Sequence, residues 1–155
     1  MNRAIGMLVV VLCLFLPATG MSAGQTRDGD LVIERAWARA SIGTSRPAAA
    51  YFTVINNGDE ADRLAGISSP VAAMAEVHAV TEENGVMRMH PAGPVEVTPN
   101  SRLVLEPGGL HVMLMQLREP LVKDGSVTLE LQFERAGTMT VEAPVFGPGS
   151  MGPDR

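Results

Sequence analysis

In SVTLELQFE (126–134) every second residue is apolar. Val127, Leu129, Leu131 and Phe133 fall on one side, and Thr128, Glu130, Gln132 and Glu134 on the other. That two-residue period predicts a strand with one face on a core. Similar runs occur at 31–40, 48–56, 62–69, 75–81, 86–91, 102–106, 110–117 and 138–145. The breaks between them carry turn chemistry: NNGDE, Asn84-Gly85, EPGG, Asp124-Gly125 and Ala136-Gly137. Many short strands at near-regular spacing predict an all-β sandwich or barrel of about eight to nine strands. SSPVAAMAEV (68–77) leaves room for a helical turn.

The ends of the chain read differently. Arg3 precedes an apolar run from Ala4 to Leu16, then Pro17 and small residues follow, as in a secretory leader. The run is short of the roughly 20 residues a membrane span needs. Residues 1–24 are therefore expected to be removed, after Gly20, Ala23 or Gly24, leaving no stable membrane insertion. A folded domain is expected over 25–147 and a disordered Gly/Pro-rich tail over 148–155. The only cysteine, Cys13, lies in the leader and lacks the small preceding residues of a lipoprotein cleavage site. The exported part then has no disulfide, no thiol nucleophile and no thiolate ligand, which excludes a blue-copper centre. The net charge of −5 is scattered without a basic stripe, so no nucleic acid is expected as partner.

Two residue types are unevenly spread. All three histidines, His78, His90 and His111, lie between 78 and 111. Four of the seven methionines beyond the leader, Met87, Met89, Met113 and Met115, lie between 87 and 115. A tight Asn84-Gly85 hairpin pairs Glu83 with Val86, Val80 with Met89 and His78 with Pro91. His78 and Met89 are then diagonal neighbours on one face, about 7–8 Å apart at the backbone, with His90 on the other. In HVMLMQL, His111, Met113 and Met115 share one side and Val112 and Leu114 the other. Two imidazoles and two thioethers make a soft, neutral donor set suited to Cu(I) rather than zinc, magnesium or calcium.

Plainer readings exist for the same residues. Methionine commonly fills cores, and exported histidines commonly sit at the surface. An alternative function is an exported β-sandwich binding module whose Met-rich face recognises an apolar partner. No enzyme is expected: no Ser-His-Asp pattern is present, and carboxylates near the histidines are sparse (Glu76, Glu82, Glu83, Glu106). Trp37, Tyr51 and Phe52 read as packing residues, and Asp62-Arg63 as a local ion pair.

The spacing resembles the periplasmic copper chaperone family PCu(A)C, whose signature is His, ten residues, Met, twenty-one residues, then His-x-Met. Here His78, Met89 and His111-Val112-Met113 stand at those intervals. AWARAS, AAAYFTVINNGDEADRLAGISSPVA, GVMRMHP and LEPGGLHVMLMQL are similar in the flanks, so the resemblance spans about 31–145. It implies a cupredoxin-like β-sandwich with Cu(I) held by His78, Met89, His111 and Met113. It also implies a monomeric periplasmic carrier that delivers copper to the Cu(A) subunit of cytochrome c oxidase, directly or through a thiol-bearing copper assembly protein. Met87 and Met115 fall outside the motif and read as shielding or packing. The His- and Met-rich tail of some relatives is absent, since only Met151 lies there.

Overall fold

The computed structural model describes residues 26–153; the expected leader, with Cys13, lies outside them. Eleven strands and no helix occur among the described residues. They are β1 (Thr26–Asp28), β2 (Leu31–Arg39), β3 (Ala48–Asn56), β4 (Asp62–Ser68), β5 (Ala72–Glu83) and β6 (Val86–Pro91). The series continues with β7 (Val95–Val97), β8 (Ser101–Leu105), β9 (His111–Leu117), β10 (Ser126–Phe133) and β11 (Gly137–Phe146).

The sheet closes on itself. Strands β2, β11, β10, β4, β5, β9 and β3 follow one another, and β3 pairs back to β2. The other four are attached to this ring: β1 on β2, β6 on β5, β7 on β4 and β8 on β3. All pairs are antiparallel except β11 with β2. The all-β expectation therefore holds, with more strands than the eight to nine expected. β1 and β7 have three residues each, too few to show a period. β5 begins at Ala72 rather than Ala75, and the segment before it is a turn (Ala72 N–H to Ser69 carbonyl, 3.3 Å), not a helical one. In the expected disordered tail (148–155), Ser150 is tied to β2: Arg39 Nε donates to the Ser150 carbonyl at 2.8 Å.

The core is the inward half of the alternation. Ile33, Phe52, Leu64, Leu114, Leu129 and Leu131 are almost fully buried. Each buried aliphatic or aromatic side chain contributes about 1.5–3 kcal/mol. A bulge resets the alternation in β2: the β2–β3 register shifts between Glu34 and Trp37, and Arg35 has φ 56°. Before it Leu31 and Ile33 join the core; after it Ala36 and Ala38 do, and Trp37 turns outward.

The expected Asp62–Arg63 ion pair does not form. Arg63 faces Glu96 and Glu134 instead. Buried Asp62 accepts backbone N–H bonds from Arg63 (2.7 Å), Arg135 (2.9 Å) and Ala136 (2.9 Å), tying the β10–β11 turn to β4. Replacing it leaves inward-facing donors without acceptors. Asp62→Ala is expected to lower unfolding free energy by about 3 kcal/mol. A urea titration checks this, and an unchanged midpoint would contradict it.

Candidate metal centre

The hairpin between β5 and β6 turns at Asn84 (φ 54°) and Gly85 (φ 78°), the paired left-handed geometry of a two-residue turn. It sets Glu83 opposite Val86, Val80 opposite Met89 and His78 opposite Pro91, the register the turn predicts. On its other edge β5 pairs with β9. There His78 lies opposite His111, Glu76 opposite Met113, and Met74 opposite Met115. Val77, between His78 and Glu76, pairs with Val112, and both belong to the core. His78, Met89, His111 and Met113 thus share the outward face of three neighbouring strands. His90 pairs with Ala79 and takes the opposite face, and exposed Met87 lies opposite Glu82.

The two imidazoles are held differently. Their rings lie 6.2 Å apart at 43°. His111 is 5% exposed. It follows the turn at Pro107–Gly109, where Gly108 has φ 87° and Glu106 N–H bonds the Leu110 carbonyl at 2.8 Å. Nδ1 of His111 donates to the Gly109 carbonyl at 3.0 Å, which fixes the proton there and leaves Nε2 with a free lone pair. His78 Nε2 lies 3.4 Å from Glu76 Oε2, so the proton belongs on Nε2. His78 Nδ1 is buried without any hydrogen-bond partner. Buried polar atoms are rarely left unsatisfied, so this nitrogen calls for a further partner, such as a water or an ion.

The thioethers complete the face. Met113 is half-buried, while Met89 is 54% exposed on β6, a strand paired only along one edge. Among the described residues no three His, Cys, Asp or Glu side chains converge, so a hard-metal cluster finds no donors there. The side chains that share this face are two histidines and two methionines.

An aromatic wall adjoins this face. Ala50 pairs with Val112, so the same register sets Tyr51 beside His111. Tyr51 stacks on Trp37 at 4.3 Å, with the Arg39 guanidinium 5.5 Å from its ring and 5.9 Å from that of Trp37. Burial raises the Tyr51 pKa, opposed by the Arg39 charge and hydrogen bond. Gly152 lies against the indole, and Arg39 also reaches the Met151 sulfur at 3.4 Å.

The sequence reading missed Glu76 and Met74 as members of this face. Both share the parity of His78, but their contact with β9 depends on a pairing between strands distant in sequence.

The family described as putative lipoprotein LpqE-like matches residues 31–145. The chain belongs to the LpqE-like family. It is 32% identical over 131 residues to a putative lipoprotein, Lxx21020, of Leifsonia xyli subsp. xyli (strain CTCB07), covering 84% of this chain and 77% of that protein. Among solved structures it is similar to the apo PmoF2 PCuAC domain, with TM-score 0.69, 27% identity, and 83% and 99% of the two chains covered. The copper-bound PCuAC domain from PmoF2 gives TM-score 0.68 at 28% identity, covering 80% and 98%. The solution structure of CuI-DR1885 from Deinococcus radiodurans gives 0.58 at 27% identity, covering 83% and 85%. The LpqE-like chain thus has the PCuAC-type, cupredoxin-like fold.

The ring environments in this LpqE-like protein predict opposite tautomers. Long-range ¹H–¹⁵N correlation of the metal-free protein at neutral pH should show His111 protonated on Nδ1 and His78 on Nε2. The same tautomer for both rings would refute the hydrogen-bond assignment.

Proposed function

We propose that this protein is a copper chaperone that carries Cu(I) on His78, Met89, His111 and Met113. In this reading His78 offers Nδ1, His111 offers Nε2, and the two methionines offer sulfur. The observation that carries it is the buried, unpartnered Nδ1 of His78, on a residue directly opposite His111 and on the face that Met89 and Met113 share. The similarity to a copper-bound PCuAC domain and to CuI-DR1885 supports the choice of ion.

The donor set suits a cargo that must be released. All four ligands are neutral, so a monovalent ion leaves one buried positive charge, offset in part by Glu76 nearby. Met89 is the most exposed of the four, so an acceptor's thiolate can displace it first and then compete for the ion ligand by ligand. The acceptor proposed is the Cu(A) subunit of cytochrome c oxidase or a thiol-bearing assembly protein that serves it. Export to the periplasm is proposed from the leader-like residues 4–16. The lipoprotein name of the relatives is not extended to this chain, because Leu12 rather than a small residue precedes Cys13.

A second reading has its own support. Met74, Met87 and Met89 are exposed on one face, as expected for a module that binds an apolar partner. His78→Ala would spare that binding while abolishing tight Cu(I) retention, which separates the two.

Anaerobic competition with a Cu(I)-specific chelator tests the carrier. Met113→Leu and His111→Ala should each weaken Cu(I) binding by about tenfold or more, at least ~1.4 kcal/mol, while His90→Ala should leave it unchanged. Copper X-ray absorption should count two sulfur and two nitrogen neighbours; an all-oxygen shell would end the reading. Acid should release the ion, because protonated imidazole does not ligate.

A further inference from the structure

Three successive outward rungs of the β5–β9 pair carry His78 with His111, Glu76 with Met113, and Met74 with Met115. The copper reading absorbs the first rung and half of the second. The third stands outside it. Packing does not account for it: Met139, at 2% exposure, is the core methionine, whereas Met74 is 42% exposed. Met74 and Met115 point away from Val77, Val112 and Leu114, which fill the interior.

Directly opposed residues in an antiparallel pair have Cβ atoms about 4.5–5.5 Å apart. Each methionine has three rotatable side-chain bonds, so two such sulfurs readily close on one ion. Met113, two residues before Met115 on the same face, brings a third thioether within reach. Glu76 lies on the rung between, a negative charge beside the place where a cation would pass.

We propose that Met74 and Met115 form a second soft-metal site, specific for a monovalent ion and sharing Met113 with the four-ligand site. This rests on the copper reading and extends it. The second site is a stop on the path of the cargo, with Met113 on the middle rung, roughly 7 Å along the strands from the rung on either side. Lacking imidazole, the thioether site holds the ion more weakly and fills second.

Silver(I), a monovalent soft ion that does not change oxidation state, is the probe. The full mature chain, labelled with ¹³C at the methionine methyls, is titrated with it. The first equivalent should move the Met89 and Met113 methyls, and the second those of Met74 and Met115. In the double variant Met74→Leu/Met115→Leu the first equivalent should bind as before and the second should be lost. Unmoved Met74 and Met115 methyls through two equivalents would overturn the proposal, as would a double variant that takes up the second equivalent like the wild type. If Met74, Met113 and Met115 respond while Met89 does not, the four-ligand reading fails and the thioether site stands alone. Leucine conserves the volume of methionine, and the wild-type methyl shifts decide even if the variant folds poorly.

Discussion

Strand β5 is held along both edges, and the candidate site follows from that constraint. One edge aligns His78 with His111 and Glu76 with Met113; the other aligns Val80 with Met89. A slip of one residue against β9 would turn Val77 to solvent and drive a histidine into the core. Val77 and Val112 pair directly, and Leu114 beside them is fully buried. Their burial is worth several kcal/mol together, so the apolar half of the alternation sets the register of the polar half. On the β6 side the Asn84-Gly85 turn does the same work by backbone geometry, because both residues must adopt positive φ.

The four outward residues are not supported equally. His78, His111 and Met113 stand on strands of the closed ring, and the two rings have hydrogen-bond partners that set their tautomers. Met89 stands on β6, which lies outside the ring and is exposed along its whole length. Three positions are therefore built into the scaffold and one is attached to its rim. Such an arrangement favours an ion that is held yet exchangeable, since preorganised positions lower the ordering cost of binding while the rim position can open.

The local features of this arrangement were legible in the sequence. Asn84-Gly85 specifies its own turn, and the turn specifies the pairing of the next few residues. The parity of HVMLMQL needs no partner strand to be read. What required the third dimension was any pairing across long sequence separation. Nothing near Glu76 or Met74 announces that β9 lies alongside, and nothing near Ala38 announces the parallel pairing with β11 that helps close the sheet. Non-glycine residues with positive φ were hidden as well: Arg35 and Gln116 carry no turn signature, yet alternation is reset at Arg35 and interrupted at Gln116. Asp62 looked like half of an ion pair because Arg63 follows it; three backbone N–H groups, two of them over seventy residues away, claim it instead.

The surroundings of the site give it a direction. On the β3 side, Tyr51 beside His111 and Trp37 stacked on Tyr51 form a packed aromatic wall, with Arg39 over both rings and the segment around Gly152 against the indole. Both rings are almost fully buried although they face outward, so this flank is already covered by the protein's own chain. The β6 side is open, with Met87 and Met89 exposed, and the Met74–Met115 rung leaves the face along the strands. In the proposed carrier, a partner would approach where surface is free, which is over β6 and the methionine rungs. The residues it meets first are thioethers, the weakest of the donors, and the imidazoles lie behind them. If the four residues hold copper as proposed, the order of exposure sets the order in which they let go, with Met89 first and buried His111 last.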